Sequence, residues 1–311
     1  MKRTYLIFLT FLLLFAVFLL PFSKKPTAET FSPRGTTVEL PVIMYHSLVT
    51  SESGAAQYVC PIQRVESDLQ WLCENDFESV SLAQLIAFAD GEGALPAKPV
   101  LITLDDGYRN NLTLLPPLLE RYDAHAVISV VGEYTDIYTA SGEDGSPHSC
   151  MSWEDLSQAA ASPRLELANH SYYFHHLTPR KGSAIMKNET LEHWKAAFCA
   201  DVQALQQAMQ ENCGFSPICY AYPFGQLTDG ADDLLQEMGF RITLTCNEDK
   251  SLLTSGQSNC LFSLGRYNRD GRSCTEEFME NYWNNHNCRT GSKHCILNYV
   301  KEKLQAFRLA A

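Results

Sequence analysis

Val100-Leu101-Ile102-Thr103-Leu104 is an almost unbroken apolar run, entered from Pro99 and closed by Asp105-Asp106-Gly107. Such a run lacks the in-out alternation of a sheet with one wet face, so it reads as a strand covered on both sides, as in a parallel sheet between helices. Gly107 marks the turn that ends it. Pro41 to Tyr45, Ala126 to Val131 and Leu165 to Ala168 have the same character, and further strand signals follow at Tyr220, Ile242 to Thr245 and Leu261 to Leu264. Helix signals lie between them at Leu114 to Tyr122, Trp153 to Ala160, Thr190 to Gln210 and Asp229 to Met238. In the longest of these, Leu191, Trp194, Phe198, Val202 and Leu205 recur every three or four residues, the period of one helix face. About seven strands alternating with helices imply an α/β chain built on a mainly parallel sheet.

The ends of two of these strands carry metal-site chemistry. Asp105 and Asp106 sit at the carboxyl end of the first run, the rim where α/β folds assemble active sites. Neighbouring strand residues point to opposite faces, so both acids can serve one site only because the strand stops there. Leu165 to Ala168 leads into Asn169-His170-Ser171-Tyr172-Tyr173-Phe174-His175-His176. Carboxylate oxygen with imidazole nitrogen is the usual donor set of zinc-like ions. On a helix the partner of His170 four residues on would be Phe174, so a turn has to bring a histidine back toward His170.

Composition narrows the alternatives. With 311 residues, 45% of them hydrophobic, the chain can bury one large core as a single α/β domain. A net charge of −12 argues against a nucleic-acid partner, whose phosphates require a basic face. No Gly-x-Ser-x-Gly elbow is present, which disfavours a serine esterase. Lys2-Arg3 precede an apolar run from Thr4 to Phe22, longer than an ordinary signal-peptide core and followed by Lys24-Lys25. Residues 1–22 are therefore expected to be a membrane signal anchor, or a signal peptide if cleaved, and 23–37 a tether, with the rest of the chain outside the cell. Eleven cysteines without a Cys-x-x-Cys point to an exported protein with a few disulfides, candidate pairs being Cys213 with Cys219, Cys246 with Cys260, and two of Cys274, Cys288 and Cys295.

Thr103-Leu104-Asp105-Asp106-Gly107 is similar to the Thr-Phe-Asp-Asp-Gly motif of the polysaccharide deacetylase family, carbohydrate esterase family four. Asn169-His170-Ser171-Tyr172 with His175 resembles the histidine motif of its exported bacterial branch. Pro41 to Ser47 resembles the opening strand, Pro61 to Leu72 the helix after it, and Tyr220-Ala221-Tyr222-Pro223-Phe224-Gly225 the third motif, in a resemblance that runs from about Val38 to Arg269. It implies a distorted, incomplete (β/α) barrel, and a catalytic domain over 38–311 with a cysteine-containing extension in which Ile296 to Leu309 would be a docking helix. It also implies a hydrolase that removes N-acetyl groups from N-acetylglucosamine polysaccharide of peptidoglycan or poly-N-acetylglucosamine type. Asp106, His170 and His175 would hold a divalent metal, zinc ahead of cobalt, nickel or manganese, with His176 the competing ligand. Asp105 would be the base, a backbone N–H near Phe224 would meet the oxyanion, and Tyr222 and Phe224 would wall the sugar subsite.

Two departures stand out. Ala221 occupies the place of the third-motif arginine that orients the base, and no Leu-x-His proton-donor motif follows; Leu264-Gly265-Arg266-Tyr267-Asn268 stands in that region. The expected replacements are His46, at the end of the Pro41 to Tyr45 strand, as the acid, and Arg266 as the group that steadies Asp105. The alternative is a membrane-anchored glycan-binding pseudoenzyme. A polysaccharide is the expected partner, with no obligate protein partner indicated.

Overall fold

The computed structural model describes residues 31–281 apart from 144, 145 and 147. The apolar run of residues 4–22, most of the tether, Cys288, Cys295 and the helix expected at Ile296 to Leu309 lie outside the described residues. The chain order is β1 (Thr37–Leu40), β2 (Val42–Tyr45), β3 (Ser47–Val49), β4 (Val59–Pro61), α1 (Ile62–Glu74), β5 (Glu78–Ser79), α2 (Leu82–Asp90), β6 (Pro99–Leu104), α3 (Arg109–Leu114) and α4 (Pro116–Arg121). It continues with β7 (Ala126–Val130), α5 (Gly132–Ser141), α6 (Trp153–Ala160), β8 (Leu165–Asn169), α7 (Leu191–Cys213), β9 (Cys219–Ala221), α8 (Ala231–Glu237), β10 (Ile242–Leu244), β11 (Ser251–Thr254) and β12 (Tyr267–Asn268).

One all-parallel sheet runs in the order β10-β9-β8-β7-β6-β2-β12, with β5 added on β6. It is a (β/α) barrel that fails to close. Between β10 and β12 the gap is filled by the chain at Leu264, whose carbonyl accepts the Thr245 N–H at 2.8 Å and whose N–H donates to the Thr243 carbonyl at 2.9 Å. The strand expected at Leu261 to Leu264 is thus a single bridge after a 3₁₀ turn at Ser258–Leu261. An ordinary strand cannot form there because the preceding turn leaves too few extended residues to pair.

Strand alternation makes two cores of this sheet. Ile43, Ile102, Ile128 and Leu167 face outward onto Leu69, Leu119, Leu156 and Leu205 of the helices. Val42, Leu101, Val127, Ala168, Ala221 and Leu244 face inward, where Leu85 and Phe88 of α2 plug the amino-terminal mouth. Each such buried Val, Leu, Ile or Phe side chain stabilises by about 1.5–3 kcal/mol, which is why the strands are apolar on both faces at most positions. A third cluster, Trp194, Phe198, Tyr220, Tyr222 and Phe240, seals α7 and α8 onto the outside of β9. On the opposite flank Asp68 of α1 accepts from Arg269 Nε at 2.7 Å, from Tyr45 Oη at 2.8 Å and from Thr275 Oγ1 at 2.6 Å, a fully buried pair that pins the last described segment.

Cys213 with Cys219 and Cys246 with Cys260 do not form the expected disulfides, and the nine described cysteines are free of one another; the pair expected from Cys274, Cys288 and Cys295 involves at least one residue outside the described ones. Cys219 is inward-facing in the barrel interior whereas Cys213 packs against the outer core, so the sheet itself separates that pair. Cys246 lies 3.9 Å from Met44 Sδ near the carboxyl ends of the strands, while Cys260 is bonded to Thr254, at the end of β11 that pairs with Thr37.

Candidate active site

β6 delivers Asp105 inward, and the backbone then breaks the alternation. Asp106 has φ +69° and Gly107 φ +65°, two consecutive left-handed residues that turn the Asp106 carboxylate back toward the barrel mouth. Asp tolerates that region better than most side chains, and glycine tolerates it without strain. The turn is closed by the Met151 N–H donating to the Gly107 carbonyl at 2.8 Å.

His170 follows β8, its N–H held by the Val130 carbonyl at 2.9 Å. Its Nδ1–H donates to the Ala221 carbonyl at 2.7 Å, which leaves Nε2 bare toward Asp106 Oδ1 at 3.7 Å. His175 presents Nε2 to the same oxygen at 3.0 Å and shares Nδ1 with Tyr134 Oη at 3.1 Å. One ligand atom from each of Asp106, His170 and His175 lies within 4.8 Å of the others. His176 turns away to Glu133 at 2.7 Å and is half exposed, so it does not compete for this position. Burial pushes His170 down to about 4 against the pull of Asp105 and Asp106, so its imidazole is neutral at ordinary pH. Burial pushes Asp106 up, but His175 and the neighbouring histidines outweigh it and hold the carboxyl below its usual range. Two imidazoles, each tied through its other nitrogen, and one carboxylate are the donor set a divalent ion takes. The residues present fit such an ion.

Asp105 is engaged differently. Arg266 Nη1 and Nη2 fork onto its two oxygens at 2.8 and 2.7 Å, and Arg266 Nε donates to the Thr245 carbonyl at 2.8 Å. Burial pushes Asp105 up, yet the Arg266 charge and its hydrogen bonds win and hold the carboxyl well below the usual range. Arg266 reaches this place because the chain that fills the barrel gap bridges Leu244, the last residue of β10, through Leu264 and then runs parallel to β2 as β12, which sets Arg266 between the two. His46, just after β2, has a buried Nδ1 without a hydrogen-bond partner, and its ring lies 4.8 Å from Tyr58. Burial lowers its pKa, with the Asp105 and Asp106 charges opposing.

The expected sugar-subsite wall is half corrected. Phe224, in a left-handed turn at φ +56°, sets its ring 4.6 Å from that of His175 and borders the site. Tyr222 does not: it is fully buried among the aromatic residues beneath α7 and α8, with its hydroxyl donating to Asp232 at 2.8 Å. Tyr220 and Tyr222 share the parity opposite to inward-facing Ala221, so β9 must send both outward. Tyr134, which sequence reading did not single out, touches a ligand histidine; nothing in its short α5 sequence distinguishes it from a surface tyrosine.

A family model described as polysaccharide deacetylase matches residues 92–243. Among curated relatives, the poly-β-1,6-N-acetyl-D-glucosamine N-deacetylase of Escherichia coli (strain K12) is 23% identical over 194 residues, covering 56% of this chain. The chain spans only 29% of that protein's length. Among solved structures, a de-N-acetylase from Aggregatibacter actinomycetemcomitans superposes with a TM-score of 0.67 at 22% identity, covering 79% of this chain and 100% of that one. IcaB from Ammonifex degensii gives 0.61 at 21%, covering 80% and 96%. At those identities the structures establish the fold.

Proposed function

The chain belongs to the polysaccharide deacetylase family, and from that premise we propose that it hydrolyses N-acetyl groups on N-acetylglucosamine polysaccharide of the poly-N-acetylglucosamine or peptidoglycan type. The observation that carries this reading is the convergence of Asp106, His170 and His175 beside an Asp105 already clamped by Arg266. Those three residues would hold a divalent ion, zinc ahead of cobalt, nickel or manganese. Bound there, such an ion would polarise the acetyl carbonyl and lower the pKa of water from about 15.7 toward about 7.

Everything else falls to the protein. Asp105, kept ionised and oriented by Arg266, would take the proton of the attacking water; its low proton affinity suffices only because that water is already acidified. Phe224 would flank the sugar, and a backbone N–H of its turn would meet the developing oxyanion. His46 stands at the same rim, and its unpartnered Nδ1 makes it the group to return a proton to the departing nitrogen. His46→Ala is expected to keep its metal and lose on the order of 100-fold in turnover, the usual scale for one acid-base group. Near-normal acetate release from that variant across the pH range would assign the proton to another group.

The deciding experiment incubates the zinc-loaded chain with poly-β-1,6-N-acetylglucosamine, peptidoglycan and chitin oligomers and measures free acetate. Release from one of the first two is expected. Binding of these glycans with no acetate from any of them would replace the enzyme with a glycan-binding relative. The apolar run of residues 4–22 would place this activity at the outer face of the cell membrane, which protease access to the domain in whole cells would check.

A further inference from the structure

His170 and His175 are five residues apart, a spacing that a helix would splay to different faces. The segment between them is instead an irregular loop, and an irregular loop needs partners for its backbone N–H groups. They come from a residue far away in sequence. The Asp201 carboxylate of α7 accepts the Tyr172 N–H through Oδ2 at 2.9 Å and the Tyr173 N–H through Oδ1 at 2.6 Å. Asp201 is 6% exposed, on the face of α7 otherwise formed by Trp194, Phe198, Val202, Leu205 and Met209.

Asn169 braces the same loop. Its Oδ1 accepts the Ser171 N–H at 2.8 Å, where Ser171 takes φ +71°, and its Nδ2 donates to the Val202 carbonyl at 3.2 Å. On the other side Tyr172 lies so close over Gly132 that a Cβ there would come within 2.5 Å of its ring, and its hydroxyl bonds Asp136 of α5. The loop is thus gripped between α7 and α5, and α5 also supplies Tyr134 to His175.

We propose that Asp201 is a positioning residue for the metal site, acting through the 171–174 backbone to swing His175 back beside His170 and Asp106. This rests on the reading of those three residues as metal ligands. A buried carboxylate is costly, and burial pushes Asp201 up to about 6 against the pull of the Tyr173 and Tyr172 N–H groups. An amide or hydroxyl would satisfy ordinary packing with less penalty; a carboxylate at neutral pH offers what they cannot, acceptors on both oxygens for adjacent N–H donors.

The test is zinc affinity of the full chain by chelator competition, together with the absorption spectrum of the cobalt-loaded form. Asp201→Asn replaces one acceptor oxygen with a donor, so zinc binding should weaken about 10- to 100-fold, the range for losing an outer partner of a metal ligand, and the cobalt spectrum should change. Asp68→Asn, which damages a buried carboxylate remote from the loop, should lower thermal stability yet leave zinc affinity unchanged. In a His175→Ala background Asp201→Asn should weaken zinc no further, because the effect passes through His175. If Asp201→Asn does not fold, Asp201→Glu shifts the carboxylate by one methylene and should weaken zinc in the same sense. Wild-type affinity in the folded Asp201 variants, or an undiminished effect without His175, overturns the proposal. Failure of the wild-type chain to bind zinc would instead overturn the metal-site reading beneath it.

Discussion

Asp106→Ala is expected to abolish metal content and acetate release together, whereas Asp105→Asn should retain the metal and lose most turnover. The two acids are adjacent in sequence but divided in task by the left-handed turn at Asp106. Asp106 is the one carboxylate in the three-residue ligand cluster, so without it two imidazoles remain to hold a dication. Asp105 is 3.9 Å from His170 Nε2 and committed to Arg266, so its amide variant removes the proton acceptor and the charge facing Arg266 but none of the three ligand atoms. A loss on the order of 100- to 10,000-fold is the scale for a general base. Metal analysis of the purified variants beside an acetate assay makes the comparison; equal metal loss in both would sink this division of labour.

Arg266→Ala should be the most damaging change outside the ligands, to stability as well as to rate. The guanidinium is fully buried and bonded to Asp105, Thr245 and Thr103, and removing it strands a buried carboxylate. Breaking a buried pair by removing one partner costs about 3–5 kcal/mol. Asp105 is held below its unfolded pKa by this arginine, so the pair's contribution is complete above that value and is lost as pH falls through the folded one. The stability gap between wild type and Arg266→Ala should therefore be full at neutral pH and shrink below about pH 4. Turnover should fall on the order of 100-fold or more, with Asp105 no longer oriented as a base. Arg266→Lys is expected to recover little, since an ammonium cannot fork onto two oxygens. Urea unfolding at neutral and acid pH measures the gap, and a pH-independent difference would mean that the arginine acts by packing alone.

Much of the scaffold was legible because it follows from local pattern. β6, β7 and β8 appear where mainly apolar runs pointed to strands covered on both sides, and α7 where apolar residues recurred at helical spacing. The strand ends likewise placed Asp105, Asp106 and His170 on one rim, and the distance from His170 to its partner required a turn. Choosing His175 over His176 was a different matter, since adjacent side chains diverge by backbone angles that composition does not encode. The cysteines were misread for a related reason: closeness in sequence says nothing about which side of a sheet a thiol occupies, and β9 puts Cys219 inside while Cys213 stays out. Tyr222 failed on strand parity, which needs the register of β9 rather than its composition.

By itself, then, the sequence determined the parallel α/β architecture, the rim that carries the chemistry, and the residue types that meet there, all of which are set by hydrophobic period and strand polarity. Tertiary structure alone decided which nitrogen of each histidine is bare, how the barrel gap brings Arg266 across 161 positions onto Asp105, and that a carboxylate on α7 holds the histidine loop. These are contacts between elements remote in the chain, and their geometry exists only once the sheet has set its order and the helices have closed over it.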